Sequence, residues 1–176
     1  MEPLQAKVAS ILDFSARVAE ACFMMNLACV SDLSESTIEK LLAGALVAKA
    51  GAYFQPGELD FVSGQDQTDA VNYLRGQSRI GPYRADFELV CRRSQTEQFS
   101  IIIECDGHEF HEKTKQQAAR DKKRDRFFAA AGYTVLRFTG SEIWRDPLGC
   151  ANEVYATSVQ LDKRKQRTTP QEAVAS

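Results

Sequence analysis

Residues 84–111 read RADFELVCRRSQTEQFSIIIECDGHEFH. Two runs in this stretch, RADFELVC and FSIIIECD, are rich in β-branched and aromatic residues, and seven polar residues separate them. This pattern is typical of a β-hairpin. If the turn closes symmetrically about Gln95, Asp86 lies opposite Glu104 with the two Cβ atoms about 5 Å apart. The sequence therefore predicts two carboxylates on one face of a sheet.

A third acid extends this pair. Asp106 follows Glu104 by two residues, so both side chains project from the same face of the strand, about 7 Å apart. Carboxylates this close raise one another's pKa unless a proton or a cation lies between them. Mg²⁺ and Mn²⁺ are the cations that oxygen ligands suit best. We expect Asp86, Glu104 and Asp106 to be metal ligands, although Asp86 and Glu104 would also fit solvated positions on a half-exposed strand.

The only two histidines follow the acids directly. Gly107 permits a tight exit from the strand and brings His108 and His111 beside the carboxylates. Because imidazole titrates near neutral pH, we favour His111 as the residue that positions water or protonates a leaving group. His108 is a candidate for nucleic-acid binding. The alternative for both is a structural or merely exposed histidine.

A basic helix is predicted over residues 112–131, which lack glycine and proline. With about 100° between successive residues, Lys113, Arg120 and Arg124 fall on one stripe that faces the sheet. Lys115 lies on a second, more solvated stripe. These four residues are candidates for binding phosphates, with Arg120 and Arg124 favoured, and the alternative is a charged helix exterior with intrahelical pairs.

Composition limits the class of protein. The chain of 176 residues has a net charge of −2, so it is not coated in positive charge for tight nonspecific nucleic-acid binding. Five cysteines occur without C-x-x-C spacing, and no basic, apolar leader opens the chain, so we expect a reduced, cytoplasmic protein. No apolar run approaches the ~18 residues of a membrane span, and no membrane role is expected.

The remaining elements give the domain organisation. Helices are predicted over residues 5–29, from Ser34 or Ser36 to Gly51, and from Pro147 onward; strands are predicted at 70–75 and 133–138. The result is an α/β fold: a mixed β-sheet core (αβββαβ) flanked by helices, with an extra N-terminal helix. We expect a helical extension over 1–33, a core over 34–160 and a polar, disordered tail over 161–176. The N-terminal helix is a candidate surface for a protein partner or for self-association.

Four segments resemble a known family. They are STIEKLL with Glu39, RADFELV with Asp86, IIIECDGHEFH, and RDKKRDRFFAAAGYTVLRFTGSEI. Together they resemble the PD-(D/E)XK nuclease superfamily, in the branch that contains very-short-patch-repair-like endonucleases. The resemblance implies a restriction-endonuclease-like fold, a divalent metal, and hydrolysis of phosphodiester bonds in nucleic acid, with DNA favoured over RNA. It also implies that Glu39 turns toward the metal; taken alone, Glu39 is an acid that the helix dipole favours.

One position departs from the family pattern. Asp106 stands where the superfamily's name places lysine, and Lys113, Lys115 or a second metal could supply that charge. The leading hypothesis is a metal-dependent endonuclease; its predicted catalytic residues are Glu39, Asp86, Glu104, Asp106 and His111. The alternatives are a catalytically inactive nucleic-acid-binding module with the same fold, and a structural or regulatory protein whose acids are solvated.

Overall fold

Ten helices and strands make up the fold of the part of the chain that the structure covers. The computed structural model describes residues 4–32, 34–55, 58–64, 68–92, 97–106 and 115–168. In chain order the elements are α1 (Leu4–Ser31), α2 (Thr37–Ala50), β1 (Leu59–Val62), β2 (Asn72–Ile80), β3 (Tyr83–Arg92), β4 (Gln98–Asp106), α3 (Lys115–Ala130), β5 (Thr134–Thr139), α4 (Gly140–Arg145) and α5 (Pro147–Thr168).

The five strands form one mixed sheet in the order β1-β2-β3-β4-β5. The outer pairs, β1 with β2 and β4 with β5, are parallel, whereas β2, β3 and β4 are joined antiparallel. The predicted α/β class and mixed sheet are confirmed. The short strand β1 was not predicted, and β2 runs to Ile80, beyond the predicted strand at 70–75.

Helices cover the sheet unequally on its two faces. The larger core packs α2, α5 and the C-terminal end of α1 against one face, and its fully buried side chains include Leu42, Phe87, Ile103 and Tyr155. A smaller core lies under α3 on the other face, built around Phe128. Neighbouring residues of β4 are buried on opposite faces, with Ile101 and Ile103 in the larger core and Ile102 in the smaller one, because successive strand residues point to opposite faces.

The first predicted domain boundary lies between α1 and α2, and the second lies inside α5. Near the end of α1, Val30 is fully buried and Phe23 and Leu27 pack against the larger core, so this helix is partly integrated into the core. At the other end, α5 continues through Thr168, and Leu161 packs against the same core. The polar composition after residue 160 predicted a disordered tail, but the helix continues there because its charged side chains remain solvated on its outer surface. Residues 169–176 lie outside the described chain.

The helices also bear on whether the described chain could cross a membrane. None of those in the described ranges combines the length and the apolar character that crossing a lipid bilayer requires.

Candidate active site

The β3–β4 hairpin has the predicted register. Phe87 pairs with Ile103 and Arg92 pairs with Gln98, as expected for a turn centred on residue 95. One step beyond the Phe87–Ile103 pair, the carboxylate of Asp86 accepts a hydrogen bond from the backbone N–H of Cys105 at 2.7 Å. The hairpin thus brings Asp86 to the end of β4 that carries the other two acids.

Glu104 is the most enclosed acid of this group. Its side chain is 5% exposed, and its Oε2 accepts a hydrogen bond from Arg124 Nη2 at 2.8 Å. The other oxygen, Oε1, is buried and has no hydrogen-bond partner among the described residues. Burial raises the pKa of Glu104 to about 7; the Arg124 guanidinium opposes this rise, and the charge of Asp86 adds to it. Desolvation therefore outweighs the neighbouring guanidinium.

Asp86 behaves in the same way. Burial raises the pKa of its carboxyl to about 6, the Cys105 N–H lowers it, and the charge of Glu39 raises it further. The pKa values of these two neighbouring carboxyls are thus raised toward neutral pH, whereas free carboxyls titrate at about pH 4. Burial disfavours the ionised form of both carboxyls. A cation bound between them would favour that form, so binding a cation would offset the free energy that burial costs.

Glu39 is fixed at the start of α2. Ser36 caps the helix, accepting the Glu39 N–H and donating its own hydroxyl to Oε1 at 2.7 Å. Oε2 accepts the N–H of Glu35 and the amide of Gln77, each at 3.0 Å. The resemblance implies that Glu39 turns toward the acid cluster, and its charge does influence Asp86.

Gln77 is a site residue that the sequence analysis missed. It is 3% exposed and has a φ of 52°, in the left-handed region that side chains other than glycine rarely adopt. It stands between the β2–β3 pairs Gly76–Phe87 and Ser78–Ala85. Nothing in an isolated glutamine signals this conformation, which depends on the tertiary contact with Glu39.

Arg137 is the second residue that was missed. It stands opposite Glu104 in the parallel β4–β5 register and binds Asp106 at 3.5 Å, together with Asp125. Burial disfavours its charge, but the hydrogen bond and charge of Asp125, with Glu104 and Asp106, outweigh burial and raise the pKa of Arg137. An arginine inside the strand TVLRFT was the available signal, because a charge in an apolar strand needs a partner.

The predicted basic residues have different positions. Arg124 faces the sheet as expected, although it is paired with Glu104 and does not point freely to solvent. Arg120, one turn earlier on α3, is exposed. His108, His111 and Lys113 lie outside the described residues, and Lys115 is described only as the first residue of α3.

Among the described residues, the acids do not form a complete metal cage. Within the described ranges, no group of three or more His, Cys, Asp or Glu side chains is arranged to hold a metal ion. Asp106 is paired with Arg137, and its place as a third carboxylate ligand stays a prediction. The buried, unpartnered Oε1 of Glu104 is nevertheless an oxygen ligand of the kind that Mg²⁺ and Mn²⁺ prefer. Glu104 and Asp86 are the residues that fit such an ion.

Comparison with known proteins agrees with this geometry. The model of the restriction endonuclease-like family REase_MTES_1575 matches residues 70–157, half of the chain. The match includes the β3–β4 hairpin, α3 and β5, and leaves α1 and α2 outside. No curated protein and no solved structure matches the chain. By its sheet, its acid-bearing hairpin and this family match, the chain belongs to the restriction endonuclease-like family and carries a PD-(D/E)XK type domain.

Proposed function

We propose that this protein is a divalent-metal-dependent nuclease that hydrolyses phosphodiester bonds, with DNA favoured over RNA as the substrate. The observation that carries the proposal is the pair Asp86 and Glu104. Two carboxyls with raised pKa values lie at one end of the sheet, and one buried oxygen of Glu104 has no partner among the described residues. Membership of a restriction endonuclease-like family supports nuclease chemistry at this position.

Each residue of the site has a proposed part. Glu104 and Asp86 would hold Mg²⁺ or Mn²⁺, which would supply an activated water and compensate charge on the phosphate oxygens. Asp106 accepts a proton or orients water at the edge of the site. Arg124 stays on Oε2 of Glu104 and keeps that carboxylate in place. Glu39, held by three hydrogen bonds, adds negative charge on the α2 side.

Positive charge at the site replaces the lysine of the family pattern. Arg124 and Arg137 each contact one acid of the cluster. Both are 25% exposed or less, so solvent screens their charges weakly. We propose that these guanidinium groups stabilise negative charge on the phosphate as the bond breaks. His111, Lys113 and Lys115 remain candidates for the same end of the sheet, as His108 and Arg120 do for phosphate contacts.

The test is a cleavage assay with metal-stripped protein. End-labelled DNA and RNA, single- and double-stranded, are incubated with and without Mg²⁺ or Mn²⁺. We expect metal-dependent cleavage by the wild type and a loss of at least ~100-fold in Asp86→Asn and Glu104→Gln. The matched control is Asp60→Asn, an exposed acid on β1. Equal cleavage by Glu104→Gln and Asp60→Asn would contradict the proposal.

A second candidate function has its own support. The guanidinium groups that already pair with Glu104 and Asp106 would compete with a metal ion for those acids. A nucleic-acid-binding module without catalysis would have this feature. Such a module retains labelled DNA in a filter-binding assay, and adding Mg²⁺ or Mn²⁺ produces no cleavage over many hours.

A further inference from the structure

Helix α1 carries a second apolar face that the rest of the described chain does not use. The helix has 28 residues, and most of its length from Leu12 to Met25 is exposed. Large apolar side chains on this stretch reach solvent: Leu12 is 65% exposed, Phe14 63%, Val18 45% and Met25 63%. Exposed apolar groups concentrated on one element indicate a contact surface, whereas scattered single ones do not.

The spacing of the apolar residues is that of a coiled coil. Apolar or small residues recur at alternating steps of four and three along the whole helix, which is the a/d pattern of a heptad repeat. This seam consists of Leu4, Val8, Ile11, Ser15, Val18, Cys22, Met25 and Cys29. The repeat runs without a break from Leu4 to Cys29, between three and four heptads, which is the length at which such a pattern becomes informative.

The charged and the domain-packed residues lie away from this seam. Asp13 and Arg17 form an ion pair at 3.1 Å, and by helical spacing they fall on the opposite side of the helix. Phe23, Leu27 and Val30, which pack on the larger core, lie roughly 90–150° around the helix from the middle of the seam. Of the seam residues from Ser15 onward, Ser15, Val18, Cys22 and Met25 are exposed, and Cys29 is half-buried.

We propose that two copies of this chain associate through α1 as a parallel, two-stranded coiled coil. A second copy is the occupant that the seam itself favours, because a parallel pair brings each seam residue against its own equivalent. Ser15, the polar member of the seam, then meets Ser15 of the other copy, and the two hydroxyls can hydrogen-bond. An unrelated apolar partner or an antiparallel copy would leave that hydroxyl facing apolar side chains, at a cost.

The size of the surface is sufficient for this. A helix of 28 residues is ~42 Å long, and an apolar stripe about a third of the way round it has an area on the order of 500 Å² per copy. Two copies would bury on the order of 1,000 Å², the lower bound for a specific interface. The residues beside the seam from Leu12 to Ala28 carry no like charges that would meet across the pair.

The first test is the mass of the full-length protein in solution, measured by light scattering after size exclusion over a range of concentrations. We expect twice the 19.6 kDa of one chain. Val18→Glu should weaken association by ~100-fold or more, because two charges would be buried against each other. The matched control, Ala16→Glu, adds the same charge two residues away at an exposed position off the seam, and should stay dimeric.

The second test uses the cysteines of the seam. In the parallel arrangement Cys22 lies against Cys22 of the other copy, so mild oxidation should link two chains, and Cys22→Ser should lower the yield of linked dimer several-fold. Because Val18 and Cys22 are exposed in the single chain, circular dichroism should find both variants folded. A monomer at all concentrations, or a dimer that Val18→Glu leaves intact, would overturn the proposal. A dimer that Cys22 does not link would overturn the parallel pairing.

Discussion

Replacing Asp86 by asparagine should make the metal-free protein more stable at alkaline pH. The pKa of the Asp86 carboxyl is raised from its ordinary 3.8 to about 6, chiefly by burial. Each pKa unit corresponds to ~1.4 kcal/mol, so ionising this group costs the folded protein up to ~3 kcal/mol more than the unfolded chain. Asparagine retains an oxygen that can accept the Cys105 N–H, and it carries no charge.

The sign of the effect follows from the raised pKa. At a pH below the pKa of the unfolded chain, the Asp86 carboxyl is protonated in both the folded and the unfolded state. Its contribution to the free energy of unfolding is then fully present. This contribution is lost as the pH rises through about 6, in the wild type only. After allowing ~1 kcal/mol for the partial exposure of Asp86 and for burying the amide, we expect a gain of ~2 kcal/mol at pH 8 and little difference at pH 4.

The assay is thermal unfolding in EDTA between pH 4 and pH 8.5. For a chain of this size, ~2 kcal/mol corresponds to a rise in Tm of ~4–8 °C for Asp86→Asn at pH 8. The control Asp60→Asn, on the exposed surface of β1, should change stability by no more than ~0.5 kcal/mol. Mg²⁺ or Mn²⁺ should then stabilise the wild type more than Asp86→Asn. A variant that is less stable than the wild type at pH 8 in EDTA would refute the reasoning.

Three further predictions concern packing and the sheet end. A Cβ at Gly76 would lie 1.9 Å from the carbonyl oxygen of Val30, so Gly76→Ala should destabilise the fold by ~2–3 kcal/mol or more in a denaturation experiment. The control is Gly44→Ala, which has open space around it and should be neutral or stabilising in the same experiment. Tyr155→Phe removes a buried hydrogen bond to a main-chain carbonyl of α2 and should lower stability by ~1 kcal/mol in urea unfolding. Trp144, the only tryptophan, lies on α4 and is 69% exposed. Its fluorescence should be quenched when DNA binds. Unchanged emission at saturating DNA would place the nucleic acid away from α4.

The sequence predicted those elements whose signals are local. Two runs rich in β-branched and aromatic residues, joined by a symmetric turn, were sufficient for the β3–β4 register. Helical periodicity and the Ser36 cap were sufficient for α1 and α2. The two acids with raised pKa values were found for the same reason, since their positions follow from that register.

Other elements depended on contacts that the sequence does not display. Strand β1 has four residues and is defined by its parallel pairing with β2. Helix α4 did have a local signal, the capping box of Thr139 and Glu142, which its six-residue length concealed. Gln77 and Arg137 reach the site only because β2 and β5 lie beside the hairpin's strands. Their roles are tertiary and could not be read from neighbouring residues.

The most direct test of the central claim is calorimetric titration of Mn²⁺ into the metal-free protein at pH 7. If Oε1 of Glu104 and Asp86 hold the ion, the wild type should bind it at a saturable site. Binding should also release protons, because burial holds the pKa of Glu104 at about 7. The heat should therefore vary with the ionisation enthalpy of the buffer, and both effects should disappear in Glu104→Gln and persist in Asp60→Asn. Equal Mn²⁺ uptake by Glu104→Gln and the wild type, or none by the wild type, would contradict the account.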